Sequence, residues 1–288
     1  MNKTLVVSII ILALSNVSFR WPVDNARLTS TFGESRADHF HDGVDMISDS
    51  DKVYPVNKGR LVFTWNKSMF PLQNYWGGGN YKIIKHEGNM VSVYMHLQDG
   101  DDLKQVYEEN EIIGYVGNTG HSYGKHIHFS LLDNVKREST NPFIMLPRYE
   151  DSQPPQILNF YVKVADKYVL IRENSSIRLT RHYPLLVEIR DTVTGKENLG
   201  IYRIRAVFNG KDVLDSQYSL LGSSEKGLTL NNRVFNDITD EKGYYMISGI
   251  TFVEGINSVT VSASDFNGNT AEKVFSIDVH LDIQPEQQ

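Results

Sequence analysis

Apolar and polar residues alternate along most of this chain, in short runs broken by glycine, asparagine and aspartate. A period of two belongs to half-buried strands, not to helices. Clear cases are "RLVFTW" (60–65), "NYKIIKH" (80–86), "MVSVYMHL" (90–97) and "HIHFSLL" (126–132). The second and third flank "HEGNM", whose Gly-Asn step predicts a hairpin turn. Only "DDLKQVYEENEII", Asp101 to Ile113, could hold a short turn or helix.

The alternation stops in "LPRYEDSQPPQI", residues 146–157. Two adjacent prolines in a polar stretch cannot continue a sheet interior, so a boundary is expected there. Beyond it the pattern restarts as "ILNFYVKV", "YVLIR", "LLVEIRD", "YRIRAVFNG", "NSVTVSAS" and "KVFSIDV". Short strands at this spacing predict a β-sandwich. The expected organisation is a first domain over residues 19–147, a linker at 148–156 and a sandwich over 157–288. The expected fold class is mainly β: a domain built on an antiparallel β-sheet, followed by a β-sandwich.

The N-terminus breaks the pattern differently. Lys3 precedes an apolar run from Leu5 to Leu14, and small residues follow. This predicts a secretory signal over residues 1–18, cut after Ser15 or Ser18, because the run is far short of the ~20 residues needed to span a bilayer. A periplasmic or secreted location follows, with no stable membrane span after cleavage.

Composition narrows the chemistry. The chain has no cysteine, which excludes disulfides, thiolate metal sites and thiol nucleophiles. Its formal net charge is −6 with no basic stripe, so nucleic-acid binding has no electrostatic support.

Histidine is where chemistry concentrates. In "HIHF", His126 and His128 share one strand face while Ile127 and Phe129 point to the other. "HFHDGVDM" offers the His41 nitrogen and the Asp45 carboxylate four residues apart, with Gly43 between them to let the backbone bend. One histidine of the 126/128 pair would complete a His₂Asp set with an open fourth position, as a catalytic zinc requires. The other would stand beside the metal, where a general base or a transition-state donor is needed. His39 is expected at the rim of such a site. "WGGGN" (76–80) reads as a mobile loop, either one wall of the substrate groove or plain hairpin flexibility.

These blocks carry a resemblance. "WPVDNARLTSTFGESRADHFHDGVDM", "VYPVNKGRLVFTW", "GGGNYKIIKHEGNMVSVYMHL" and "IIGYVGNTGHSYGKHIHFSL" follow in order between Trp21 and Pro147. Together they resemble the LytM/lysostaphin-type zinc metallopeptidases, the M23 family of cell-wall endopeptidases. The resemblance implies that His41, Asp45 and His128 bind Zn²⁺, that His126 is the catalytic histidine of H-x-H, and that His96 is a second non-ligand histidine stabilising the transition state. It implies peptidoglycan peptides as substrate. Ser130 departs from the pattern, standing where many relatives carry Glu. Some family members lose the metal and catalytic groups and act only as activators or scaffolds of another wall hydrolase, which is the alternative reading; all five groups stand here. The second domain resembles bacterial immunoglobulin-like modules through its strand spacing and its "SASDFNGNTAEKVFSIDV" ending, and is expected to bind wall polymer or an envelope protein, or to position the peptidase.

Overall fold

A computed structural model describes residues 19–100, 103–193 and 197–282. The expected signal segment, 1–18, lies outside the described residues. Among those described, strands dominate and the only helical pieces are two short 3₁₀ turns, Pro142–Ile144 and Phe235–Asp237. None of their helices is long and apolar enough to cross a membrane.

The four strands expected in the first half form as Gly59–Trp65, Asn80–Lys85, Met90–Leu97 and Ile127–Asp133. They are antiparallel neighbours in one sheet. Val44–Ile47 pairs with the front half of Ile127–Asp133, and Glu138–Thr140 with its back half. The alternation explains this core. Val44, Met46, Tyr94, Ile127, Phe129 and Leu131 are fully buried in one apolar cluster.

The stretch read as a turn or helix differs. It supplies the two-residue strand Val106–Tyr107, paired with Gly59–Trp65, and a tight turn closed by Glu111 N–H on Glu108 O. Tyr107 is buried against the sheet, and no helical apolar stripe competes with that packing.

The second half forms two facing sheets. One orders Lys167–Ile171, Gln156–Val164, Leu185–Arg190 and Tyr245–Ile247; the other orders Ser176–Leu179, Thr270–Leu281, Gly255–Ser264, Arg203–Phe208 and Lys211–Gln217. Phe160 of the first stacks on Phe275 of the second, ring centroids 4.3 Å apart, which is the sandwich core. Ser176–Leu179 runs parallel to the last strand, the one parallel pairing among the described strands.

The two halves interpenetrate. Residues Leu220–Ser224, Gly227–Leu230 and Arg233–Val234 leave the sandwich and extend the first sheet beyond Glu138–Thr140. Phe32 and Phe40, from the first half, are fully buried in the apolar cluster of the second. Leu199, from the second, is buried in that of the first. Burying one phenyl ring contributes roughly 1.5–3 kcal/mol, so this exchange stabilises the junction substantially.

Candidate metal centre

Antiparallel register builds the centre. Asp45 sits opposite His128, and Met95 sits opposite His128 on the other side. Opposed residues on neighbouring strands project to the same face, so one sheet face collects side chains from three strands. His41, just before Val44–Ile47, completes the group. Its Nε2 lies 2.9 Å from His128 Nδ1 and 3.1 Å from Asp45 Oδ1, and His128 Nδ1 lies 2.9 Å from Asp45 Oδ1. These three residues could hold a metal ion.

The far nitrogen of each ring fixes its tautomer. His41 Nδ1–H donates to Thr31 O at 2.8 Å, since a carbonyl can only accept. His128 Nε2–H faces the Asp42 carboxylate at 3.2 Å and Ser130 Oγ at 2.8 Å. Each ring, when neutral, therefore turns a lone pair toward Asp45. Three electron-rich atoms converging at about 3 Å repel one another unless a positive charge lies among them. Tetrahedral zinc with bonds of 2.0–2.1 Å separates its donors by about 3.3 Å, so the triangle matches it within a few tenths of an ångström. Without a metal, a proton on His128 supplies that charge. Burial opposes charge on His128, but the carboxylates of Asp42 and Asp45 outweigh it and raise its pKa to about 9. Burial also opposes charge on Asp45, yet its hydrogen bonds with His128 and His41 hold its carboxyl well below the usual range.

His96 and His126 flank the triangle. Their ring centroids are 4.8 Å apart, and His96 lies 6.1 Å from His128. His126 Nδ1–H donates to Gly124 O at 2.8 Å, which turns its Nε2 toward Asp45 Oδ1, 3.8 Å away, and His96 Nδ1–H donates to Thr119 O at 2.8 Å. Burial, chiefly, pulls the His96 pKa down to about 4, so this imidazole is neutral at neutral pH. His96 has φ +62°, an uncommon conformation for a residue with a side chain, held by its N–H on Gly78 O as well as by Thr119. All five residues line one groove of about 900 Å³. Gly77, Gly78 and the exposed His39 line it too, as the sequence led us to expect of a loop wall and a rim.

The role of Gly43 differs from the bend expected of it. Its φ is not in the left-handed region; instead, an added Cβ would collide with the Phe129 carbonyl and lie 2.9 Å from His128 Nε2. It is a close-approach glycine that lets His41 and Asp45 press against the His128 strand.

Three contributors escaped the sequence reading. Arg36 Nη2 donates to Asp45 Oδ2 at 2.8 Å, fixing the oxygen that does not face the histidines. Asp42 and Ser130 orient His128. Ser130 stands where many relatives carry Glu, and the carboxylate beside His128 Nε2 comes from Asp42 on a different strand end.

Residues 39–142 match the model of peptidase family M23, and residues 154–280 match a second family model. The chain is 24% identical over 218 residues to the glycyl-glycine endopeptidase ALE-1 of Staphylococcus capitis, covering 70% of this chain and 57% of that protein. It is 28% identical over 128 residues to the peptidoglycan DD-endopeptidase ShyC of Vibrio cholerae serotype O1, covering 42% and 28%. It is 31% identical over 137 residues to the murein hydrolase activator NlpD of Escherichia coli, covering 46% and 32%. The chain thus spans from 28% to 57% of the length of these relatives. The likeness to the M23 peptidases is confined to residues 39–142, within the first half of the chain. The match over 154–280 does not make the second half immunoglobulin-like; what stands there is the two-sheet architecture.

Proposed function

We propose that this chain is a zinc-dependent endopeptidase that hydrolyses peptide bonds in bacterial peptidoglycan. One observation carries the reading: three imidazoles, His41, His126 and His128, each with its far nitrogen pinned by an acceptor, turn their near nitrogens toward the partly buried Asp45 carboxylate, at 3.1, 3.8 and 2.9 Å. His41 Nε2, Asp45 Oδ1 and His128 Nδ1 would hold the ion. Two imidazoles and one carboxylate suit zinc, whereas calcium and magnesium seek oxygen donors throughout. When bound, zinc supplies Lewis acidity toward a peptide carbonyl and activates water for attack.

The chain's own residues do the rest. His126, lining the groove with its Nε2 turned toward the metal donors, accepts a proton during attack and returns it to the leaving amine. His96, buried and fixed by Thr119, presents the second Nε2 to the charge that develops at the scissile carbonyl. Arg36 holds Asp45 Oδ2 in place. The wide groove admits an extended peptide, and the loop at Gly77 and Gly78 walls it.

The reading includes export by residues 1–18 to a periplasm or the cell exterior, a peptidase part over 19–147, a connector at 148–156 and a sandwich over 157–288. The test is mass spectrometry of purified peptidoglycan after incubation with the protein. New amino termini, abolished by a chelator, are expected. Zinc binding with intact wall peptides would overturn hydrolysis and favour an activator, the role that the name of the Escherichia coli relative describes for that protein.

A further inference from the structure

The segment from Thr31 to His41 carries a metal donor, yet much of its support comes from the other half of the chain. It folds back on itself through Gly33 N–H on His41 O and His41 N–H on Glu34 O, both 2.8 Å. Its apolar residues, Phe32 and Phe40, are fully buried among sandwich residues, with Phe40 5.2 Å from Phe235 and 6.5 Å from Tyr218 between ring centroids. Gly33 sits at φ +81° directly under the Tyr218 ring, where a side chain would have no room. The polar link is more specific. Gly200 N–H donates to Glu34 Oε1 and to Thr31 Oγ1, each at 2.9 Å. The other Glu34 oxygen takes Ser30 Oγ and Arg36 Nη1, and Arg36 Nη2 reaches Asp45 Oδ2 at 2.8 Å. Thr31 O in turn fixes the His41 tautomer.

We propose that the sandwich is a structural part of the metal centre: Gly200 and Tyr218 hold the 31–41 segment, and Glu34 passes that support through Arg36 and Thr31 to Asp45 and His41. Glu34 is a positioning residue. The sandwich is then no detachable wall-binding module, and anything that pulls Gly200 or Tyr218 away from the segment loosens the metal. This rests on His41, Asp45 and His128 being the metal ligands.

The experiment compares full-length wild type with Gly200→Ala, whose methyl would lie 2.7 Å from Glu34 Cγ, and with Tyr218→Ala. The control is Phe208→Ala. Phe208 is also in the sandwich core, but it ends the Arg203–Phe208 strand whose other end pairs with Gln217, so about 17 Å of strand separates it from Tyr218. Two readouts are taken: zinc affinity by competition with a chromophoric chelator, and hydrogen exchange of the 31–41 amides without metal. Gly200→Ala and Tyr218→Ala are expected to weaken zinc about tenfold or more and to speed exchange at Gly33 and His41, while Phe208→Ala lowers the melting temperature and leaves both readouts at wild-type values. Wild-type affinity and exchange in Gly200→Ala and Tyr218→Ala would overturn the proposal, as would equal losses in the control. Wild type that binds no zinc overturns the metal reading, and the exchange data still decide whether the sandwich holds the segment.

Discussion

Asp45 and His128 stand directly opposite each other in an antiparallel strand pair, with the carboxylate Oδ1 2.9 Å from the imidazole Nδ1. Register alone therefore sets two of three donors, and the third, His41, needs only the turn before the strand. Asp45→Asn and His128→Ala should each abolish stoichiometric zinc binding, read by metal analysis of protein dialysed against a weak chelator. Retention of one zinc per chain in either variant would place the ion elsewhere.

The His128 ring is oriented from behind by Asp42 and Ser130. Partners of this kind typically contribute 10–100-fold to metal affinity, so Asp42→Asn should weaken zinc by about tenfold or more, and the pair Asp42→Asn with Ser130→Ala further. Chelator competition measures it. Equal affinity in the double variant would show that the ring is held by strand packing alone.

His126 and His96 line the groove and are not among the three donors. His126→Ala should keep its zinc and lose about 10²–10⁴ in turnover on wall peptides, with His96→Ala behaving similarly. Turnover at the wild-type rate in zinc-loaded His126→Ala contradicts its assignment.

Asp191, Asp151 and Asp265 bring carboxylate oxygens within 4.8 Å of one another at the junction of the two halves. Burial first, then the charges of Asp265 and Asp151, raise the Asp191 pKa to about 7. A carboxyl that holds its proton more tightly folded than unfolded stabilises the fold at low pH, and that stability is lost as pH rises from about 4 through 7. Asp191→Asn keeps an acceptor for Thr192 N–H and cannot ionise. It should raise the unfolding free energy at pH 8, relative to its effect at pH 5, by about 2–3 kcal/mol. Parallel stability–pH curves for the two proteins would sink this.

Gly43→Ala should destabilise by about 1–3 kcal/mol, because the methyl must displace the Phe129 carbonyl or the His128 ring. Calorimetry of the metal-free proteins reads it, and an unchanged melting temperature would show that the strands can part without cost.

Much of the site was legible because strand alternation is a local signal. "HIHF" places Ile127 and Phe129 in the core, where both are fully buried, and leaves His128 on the other face. What the sequence could not show depends on which strand lies opposite. Asp42 stands beside two assigned residues, yet its use follows from the approach of His128 across the sheet. Arg36 reaches Asp45 only because the 31–41 segment folds back. Phe32 and Phe40 are apolar, but nothing local says that they belong to the core of the other half. The strands between Leu220 and Val234 were missed for a related reason: they leave the sandwich for the neighbouring sheet, and short mixed runs carry no sign of that.

Crystals grown with zinc and measured at the zinc absorption edge give the most direct test. One anomalous peak is expected, about 2.0–2.2 Å from His41 Nε2, Asp45 Oδ1 and His128 Nδ1. A zinc-loaded protein with no peak there, or with a peak bound by other side chains, would contradict the assignment of the centre.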